Sequence, residues 1–298
     1  MAPGGIRRIT AGVLVSAAVA GGCGIGGDGN DAAPARPPSG DVNPAPPTAR
    51  ALVWAVGDGA NGSRQARVLA RRMARSKPDL LIYLGDVYEH GTATEFADNY
   101  ATVYGRLSRR TAPTPGNHDW PQHAEGYDPY WTRAMREPVP SWYAFSIAGW
   151  RILSLNSETA HDPGSPQVRW LRRQVAGPGN CRLAFWHRPR FSAGTKHGDQ
   201  PDVAPFWDAL RGHARIVLNG HEHDMQRLQP RGGIVEFVSG AGGAARYPVD
   251  PAYPGLAFAN DSDWGALRLE LRRGTARTAF VTRDGEVLDR TTITCRRR

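Results

Sequence analysis

Five short polar clusters hold the side chains of this sequence best suited to chemistry: Gly57-Asp58-Gly59, Gly85-Asp86-Val87-Tyr88, Gly116-Asn117-His118-Asp119, Trp186-His187-Arg188-Pro189 and Gly220-His221-Glu222-His223. Together they offer carboxylates, an amide oxygen and imidazoles, a donor set that suits iron, manganese or zinc. Taken singly, each has a plainer reading. Gly-Asp is a common turn, Gly-Asn-His-Asp can close another, and an isolated His such as His187 is more often a satisfied core or surface side chain than a ligand. Gly-His-x-His says more, because two imidazoles on alternate residues can converge on metal ions.

The clusters sit where apolar runs end. Leu52 to Val56 reads as a buried strand closing on Gly57 and Asp58, and Leu80 to Leu84 as a second strand closing on Gly85 and Asp86. Helical patterns over 64–76 and 94–107 alternate with these strands, and a turn-rich stretch covers 114–119, so βαβ units are expected. Further strands are expected at 142–148, 150–155, 183–186, 216–218 and 234–238, with helices near 167–175 and 205–211. The C-terminal part adds strands at 266–271, 278–281 and 287–293. No linker divides residues 51–298, which read as one mixed α/β domain with two packed sheets. Open α/β sheets place ligands beyond strand ends, where these clusters lie.

In this order along the chain, the clusters resemble the signature of the calcineurin-like metallophosphoesterases. Trp142-Tyr143-Ala144-Phe145, Leu153 through Glu158, Trp186 through Ser192 and Gly240 to Gly243 resemble its bacterial purple acid phosphatase-like branch, and the likeness covers most of 51–298. The resemblance implies a four-layer α-β-β-α sandwich: two mixed β-sheets flanked by helices. It also implies two metal ions, with Asp86 bridging them, Asp58 and His223 completing the first site, and Asn117, His187 and His221 completing the second. His118 would contact the phosphate and assist protonation of the leaving group. His197, ten residues after His187, is similar to a second such imidazole, with a merely polar loop as the competing reading. The implied reaction suits the donors: two close dications hold a hydroxide and neutralise phosphoryl oxygens during in-line displacement. A phosphomonoester of a small molecule is the expected substrate; a phosphodiesterase or nucleotide hydrolase shares the site, and a non-catalytic surface lipoprotein binding anionic polymers is the rival of another class.

The pattern departs from the family in one place that matters. Purple acid phosphatases carry a metal-binding Tyr three residues after the bridging Asp, where this sequence has Glu89 and places Tyr88 one position early. Tyr88, Glu89 and water stay open as occupants of that position. Asp119 could orient His118 or only close its turn, and Glu222 is turned away from a metal that His221 and His223 face. Arg188 could meet substrate phosphate or add to a basic surface. Trp120, Tyr130 and Trp131 could face a base or acyl group, with packing the favoured reading.

Composition bounds the rest. The 298 residues are 40% hydrophobic and 22% charged, with a formal charge of +9. Lys occurs only at Lys77 and Lys196, and the arginines are scattered without aromatic interleaving, so a solvated basic surface is expected rather than a nucleic-acid groove. Arg7-Arg8, the apolar stretch from Ile9 to Ala20 and the small residues before Cys23 match a signal peptide over 1–23, the apolar stretch being shorter than a membrane-spanning helix requires. Cys23 also resembles a lipoprotein processing site, although Ala20 stands where Leu is usual, so cleavage and lipid anchoring both stay open. Residues 24–50 are Pro, Gly and Ala-rich and read as a disordered tether. An exported protein, extracellular or in the cell envelope, is therefore expected. There Cys181 and Cys295 can form a disulfide, with two free thiols as the alternative.

Overall fold

In a computed structural model of the protein, residues 49–296 are described. The expected signal peptide, the Cys23 anchor and the tether up to residue 48 lie outside the described residues. Among the described residues, no helix is long and apolar enough to cross a membrane.

The first strand, β1 (Arg50–Val56), is nearly all apolar because it lies inside a sheet covered on both faces. It pairs in parallel with β2 (Leu80–Tyr83), which pairs in parallel with β3 (Thr111–Pro113). On its other side β1 runs antiparallel to β11 (Gly265–Arg272), followed by β12 (Thr275–Thr282) and β13 (Val287–Thr294) as antiparallel hairpins. The resulting order is β13-β12-β11-β1-β2-β3. The second sheet has seven strands. β5 (Trp150–Ser154), β6 (Arg182–Phe185), β7 (Ile216–Asn219) and β9 (Val235–Ser239) form its parallel centre. β4 (Tyr143–Ile147) flanks β5, while β8 (Met225–Leu228) and β10 (Leu256–Asn260) extend the sheet beyond β9, all with antiparallel pairing.

Alternation along each strand sorts side chains into layers. Val53, Ala55, Ile82, Leu267 and Leu269 face Ile152, Leu183, Phe185, Ile216 and Leu218 across the core between the sheets. On the outer side of the first sheet, Trp54, Val56, Leu81 and Tyr83 pack on α1 (Arg64–Arg75) through Leu69 and Met73, and on Phe96, Tyr100, Tyr104 and Trp131. On the outer side of the second, Leu153, Ala184, Trp186 and Val217 meet Leu171 of α3 (Pro166–Val175) and Phe206 and Trp207 of α4 (Ala204–Leu210). The molecule is thus the four-layer sandwich that the resemblance implies. Ser63 caps α1 and Ser165 caps α3, each side-chain oxygen accepting a backbone N–H three residues on at 3.2 Å.

Two stretches differ from the expected pattern. The helix expected at 94–107 is an α turn at Ala93–Glu95, a π segment at Phe96–Ala101, an α turn at Thr102–Tyr104 and a 3₁₀ segment at Gly105–Arg110. Between the turn-rich stretch and the strand expected at 142–148, where no element is named above, lies α2 (Tyr127–Met135), which buries Tyr127 and Trp131. Cys181 and Cys295 are disulfide-bonded, with Cα atoms 5.0 Å apart, tying the entry of β6 to the end of β13.

Candidate metal centre

The five clusters follow the C-terminal ends of β1, β2, β3, β6 and β7, and the packed sheets bring those ends together. Close approach depends on glycine. Gly85 has φ 98°, and a Cβ there would lie 2.7 Å from His187 Nδ1; a Cβ on Gly220 would lie 2.7 Å from Asp58 Oδ2. Asp58 (φ 57°), Asp86 (φ 67°) and His221 (φ 70°) hold left-handed backbone without being glycine. Each such residue costs about 1–2 kcal/mol, and strain of this kind gathers at functional sites.

The donors converge. Asp58, Asp86 and His187 are buried and offer one atom each within 4.8 Å of one another. His187 donates its Nδ1–H to the Leu84 carbonyl at 2.8 Å, which turns Nε2 inward. Nε2 lies 3.0 Å from Asn117 Oδ1, 3.1 Å from His221 Nδ1 and 3.4 Å from Asp86 Oδ2. His223 donates its Nδ1–H to the Ala245 carbonyl at 2.6 Å and presents Nε2 3.6 Å from Asp58 Oδ1. His118 is held through Nδ1 by the Glu89 carbonyl, and its Nε2 stands 3.9 Å from Asp86 Oδ2. His197 stacks its ring on His221, centroids 4.1 Å apart. All eight residues singled out in the sequence therefore gather at one place.

The structure separates the alternatives for the position after Asp86. The Tyr88 hydroxyl lies 2.8 Å from His223 Nε2, 3.0 Å from Asp58 Oδ1 and 3.3 Å from Asp86 Oδ2. Glu89 is exposed, and the Glu95 carboxylate fixes its turn by accepting the N–H groups of Glu89, His90 and Thr92. Asn99, in the π segment, donates to the Tyr88 carbonyl at 2.7 Å.

This donor set fits bound metal cations. One phenolic hydrogen cannot serve three acceptors, and His221 Nε2 is buried without a hydrogen-bond partner. Burial pushes the Asp58 carboxyl well above its usual range, with Asp86 adding to the rise. Burial opposes charge on His187 too, but Asp86 outweighs it and raises that imidazole to about 10. Asp86 stays below the usual carboxylate range because His187 overcomes its burial. Positive charge is thus favoured among the acceptors, where protons take the place a metal would fill. Burial lowers His221, and lowers His223 to about 4, so both present neutral lone pairs.

Other side chains support the site. Asp119 is buried and accepts the N–H groups of Asp86, Val87 and Gly116, each at 2.8 Å; it closes the turns that carry Asp86 and Asn117 rather than orienting His118. Burial and the nearby Asp86 raise its carboxyl to about 7. Arg188 forms a two-pronged pair with Glu158 at 2.9 Å. Trp131 is fully buried and Tyr130 packs beside it at 5.2 Å, as the packing reading expects, whereas Trp120 is half-buried and stacks on His123 at 4.0 Å. No motif announces Tyr247, a loop residue whose ring stacks on His223 at 3.9 Å.

Comparison with known proteins follows the same line. The sequence profile of the calcineurin-like phosphoesterases matches residues 51–225. A probable cyclic nucleotide phosphodiesterase of Synechococcus is 28% identical over 219 residues, covering 70% of this chain and 78% of its own. A probable purple acid phosphatase of Arabidopsis thaliana is 21% identical over 211 residues, covering 61% of this chain and 48% of its own, so the chain spans about half that relative's length. Among solved structures, a purple acid phosphatase from yellow lupin seeds superposes with a TM-score of 0.67 at 16% identity over 82% of this chain and 54% of its own. The anchor in the inner membrane complex of Plasmodium superposes with a TM-score of 0.68 at 13% identity over 84% and 90%. At these identities the two superpositions establish shared fold alone.

Proposed function

The chain belongs to the calcineurin-like phosphoesterase family and is a metal-dependent phosphoester hydrolase; from the geometry of its site we propose that it is an exported enzyme acting on phosphate monoesters at a pair of metal ions. The observation that supports this most is the buried convergence of acceptors around Asp86 with too few hydrogens to satisfy them. Asp86 would touch both ions, Asp58, His223 and Tyr88 would hold one, and Asn117, His187 and His221 the other. Iron, manganese and zinc all suit these donors. Bound ions of this kind activate water and offset the charge of phosphoryl oxygens.

The remaining steps belong to the chain's own side chains. The Leu84 and Ala245 carbonyls fix the tautomers of His187 and His223 so that each lone pair faces inward. His118, in its protonated form, donates from Nε2 to a phosphoryl oxygen or to the departing alkoxide. Lys196 adds a cationic group at the mouth, lying over the Tyr247 ring at 5.9 Å, beside the His197 ring stacked on His221. A cationic mouth favours the dianion of a monoester over the monoanion of a diester. Export is supported by the signal-peptide pattern and by the Cys181–Cys295 bond, since disulfides persist in oxidising compartments.

A diester reading has one observation in its favour: Trp120, two residues from His118, is half-buried and forms with His123 a flat aromatic pair that a nucleobase could stack on. The Synechococcus relative, named as a probable cyclic nucleotide phosphodiesterase, points the same way. Metal analysis of the purified protein, with kcat/KM for a chromogenic monoester and a chromogenic diester, tests both. Two metals per chain and a chelator-sensitive preference for the monoester are expected. A diester preference overturns the substrate assignment, and no turnover after reconstitution with iron, manganese or zinc favours the binding-protein rival.

A further inference from the structure

Glu222, between two of the metal-facing histidines, is fully buried, and its carboxylate is directed at the loop after β6. Its Oε1 accepts two consecutive backbone N–H groups, His197 and Gly198, each at 2.7 Å. The loop passes tightly over it: a Cβ on Gly194 would lie 2.6 Å from Oε1, so only glycine fits there. His197 itself is exposed. Its ring lies nearly parallel to His221 at 4.1 Å and edge-on to Tyr247 at 5.6 Å, and Tyr247 in turn stacks on His223. The carboxylate beneath the loop thus sets where an otherwise solvent-facing imidazole stands relative to the metal centre.

We infer that Glu222 is a positioning residue, which holds the backbone of His197 so that this imidazole meets the phosphoryl group of a bound substrate. The inference rests on the proposed phosphoesterase reading and deepens it by making His197 part of the site rather than of a polar loop. Two hydrogen bonds from adjacent N–H groups to one oxygen fix both the height and the rotation of a peptide unit, which a single contact would not. Oε2 has no partner, so one oxygen does the holding. Glu222→Gln therefore keeps the acceptor the loop needs, while Glu222→Ala removes it.

The test is a double-mutant cycle on a chromogenic monoester, with metal content measured for every variant. His197→Ala is expected to lower kcat roughly 10- to 100-fold, at or below the low end for a group that aids proton transfer. Glu222→Ala should lower it to a similar extent, and the double variant no further than either single one. Metal content should stay at the wild-type level throughout, and Glu222→Gln should recover most of the lost rate. In zinc-loaded protein, the His197 ring-proton resonances, assigned by their loss in His197→Ala, should leave their stacked positions in Glu222→Ala and keep them in Glu222→Gln. Multiplicative losses in the double variant, metal loss in Glu222→Ala, or unmoved His197 resonances would each overturn the inference while leaving the phosphoesterase reading intact. An inactive, metal-free wild type would remove both. Should Glu222→Ala not fold, Glu222→Asp, which draws the acceptor back by one methylene, carries the same cycle.

Discussion

Replacing Cys181 and Cys295 with alanine opens a cross-link between residues 114 apart in the chain. In the chain-entropy description, closing a loop of that length restricts the unfolded chain by about 5 kcal/mol at room temperature. The folded tail does not rely on the bond. Cys295 N donates to Gly274 O at 3.0 Å, Asn180 N to Arg296 O at 2.9 Å, and Arg296 N to Asn180 Oδ1 at 2.6 Å, so the end of β13 stays docked. The loss therefore falls on the unfolded state, and residual structure there brings it to about 3–5 kcal/mol. With a urea slope of about 3 kcal/mol per molar for a domain of this size, the unfolding midpoint should fall by roughly 1–1.6 M. Cys181 precedes β6 whereas His187 follows its far end, so kcat and metal content should not change. A shift below about 0.3 M, which at that slope is only about 1 kcal/mol, would refute the entropic reasoning. Lost activity in a protein that remains folded would refute the separation of the bond from the site.

Asp86→Ala and His221→Ala should each abolish chelator-sensitive turnover while circular dichroism keeps the folded spectrum; retained activity would remove that residue from the site. His118→Ala should lower kcat by roughly 10²–10⁴ with metal content preserved, and equal loss of both would make it structural. Tyr88→Phe should weaken metal binding roughly 10- to 100-fold in competition with a chromogenic chelator, and unchanged affinity would leave the phenol a bystander. Burial pushes Glu236 up to about 8 despite the N–H groups of Arg190 and Phe191. Between its ordinary range and that value the unfolded chain ionises while the folded state stays protonated, so stability should fall as pH rises through the window and level off above it. Glu236→Gln should flatten that slope in melting temperatures from about pH 5 to 8, and identical slopes would show that Glu236 stays ionised.

The chemistry was legible because each polar cluster closes an apolar run, so strand ends could be read without knowing how the strands pair. β1, β2, β5, β6 and β7 carried the plainest signals. β3 did not: it has three residues, ends in Pro113, and is a strand only because Leu81, Ile82 and Tyr83 pair with it. β8 was hidden by its polar letters, since Gln226 is buried through bonds to Asp224 and Ala193 that no local pattern announces. α2 went unread, although Pro129 in its first turn leaves no intrahelical bond unmade. Tyr88 could not be decided from spacing, because its reach depends on the turn held by Glu95 and Asn99.

The division of the site between the sheets explains why its parts read clearly while its support did not. Asp58, Asp86 and Asn117 follow strands of the first sheet, and His187, His221 and His223 follow strands of the second. Neither sheet alone brings Asp58 and Asp86 to His187, His221 and His223; the shared core of Val53, Ile82, Phe185 and Leu218 fixes their separation. Asp58 illustrates the cost: it is buried, left-handed, and close enough to Asp86 for their charges to oppose. Such a residue persists only where surrounding packing over-determines its position, and here β1, the Gly220 turn and the His221 N–H all fix it. A cation between the sheets would relieve the opposition between the carboxylates and engage lone pairs from both, so metal binding and the packing of the two sheets stabilise the same arrangement.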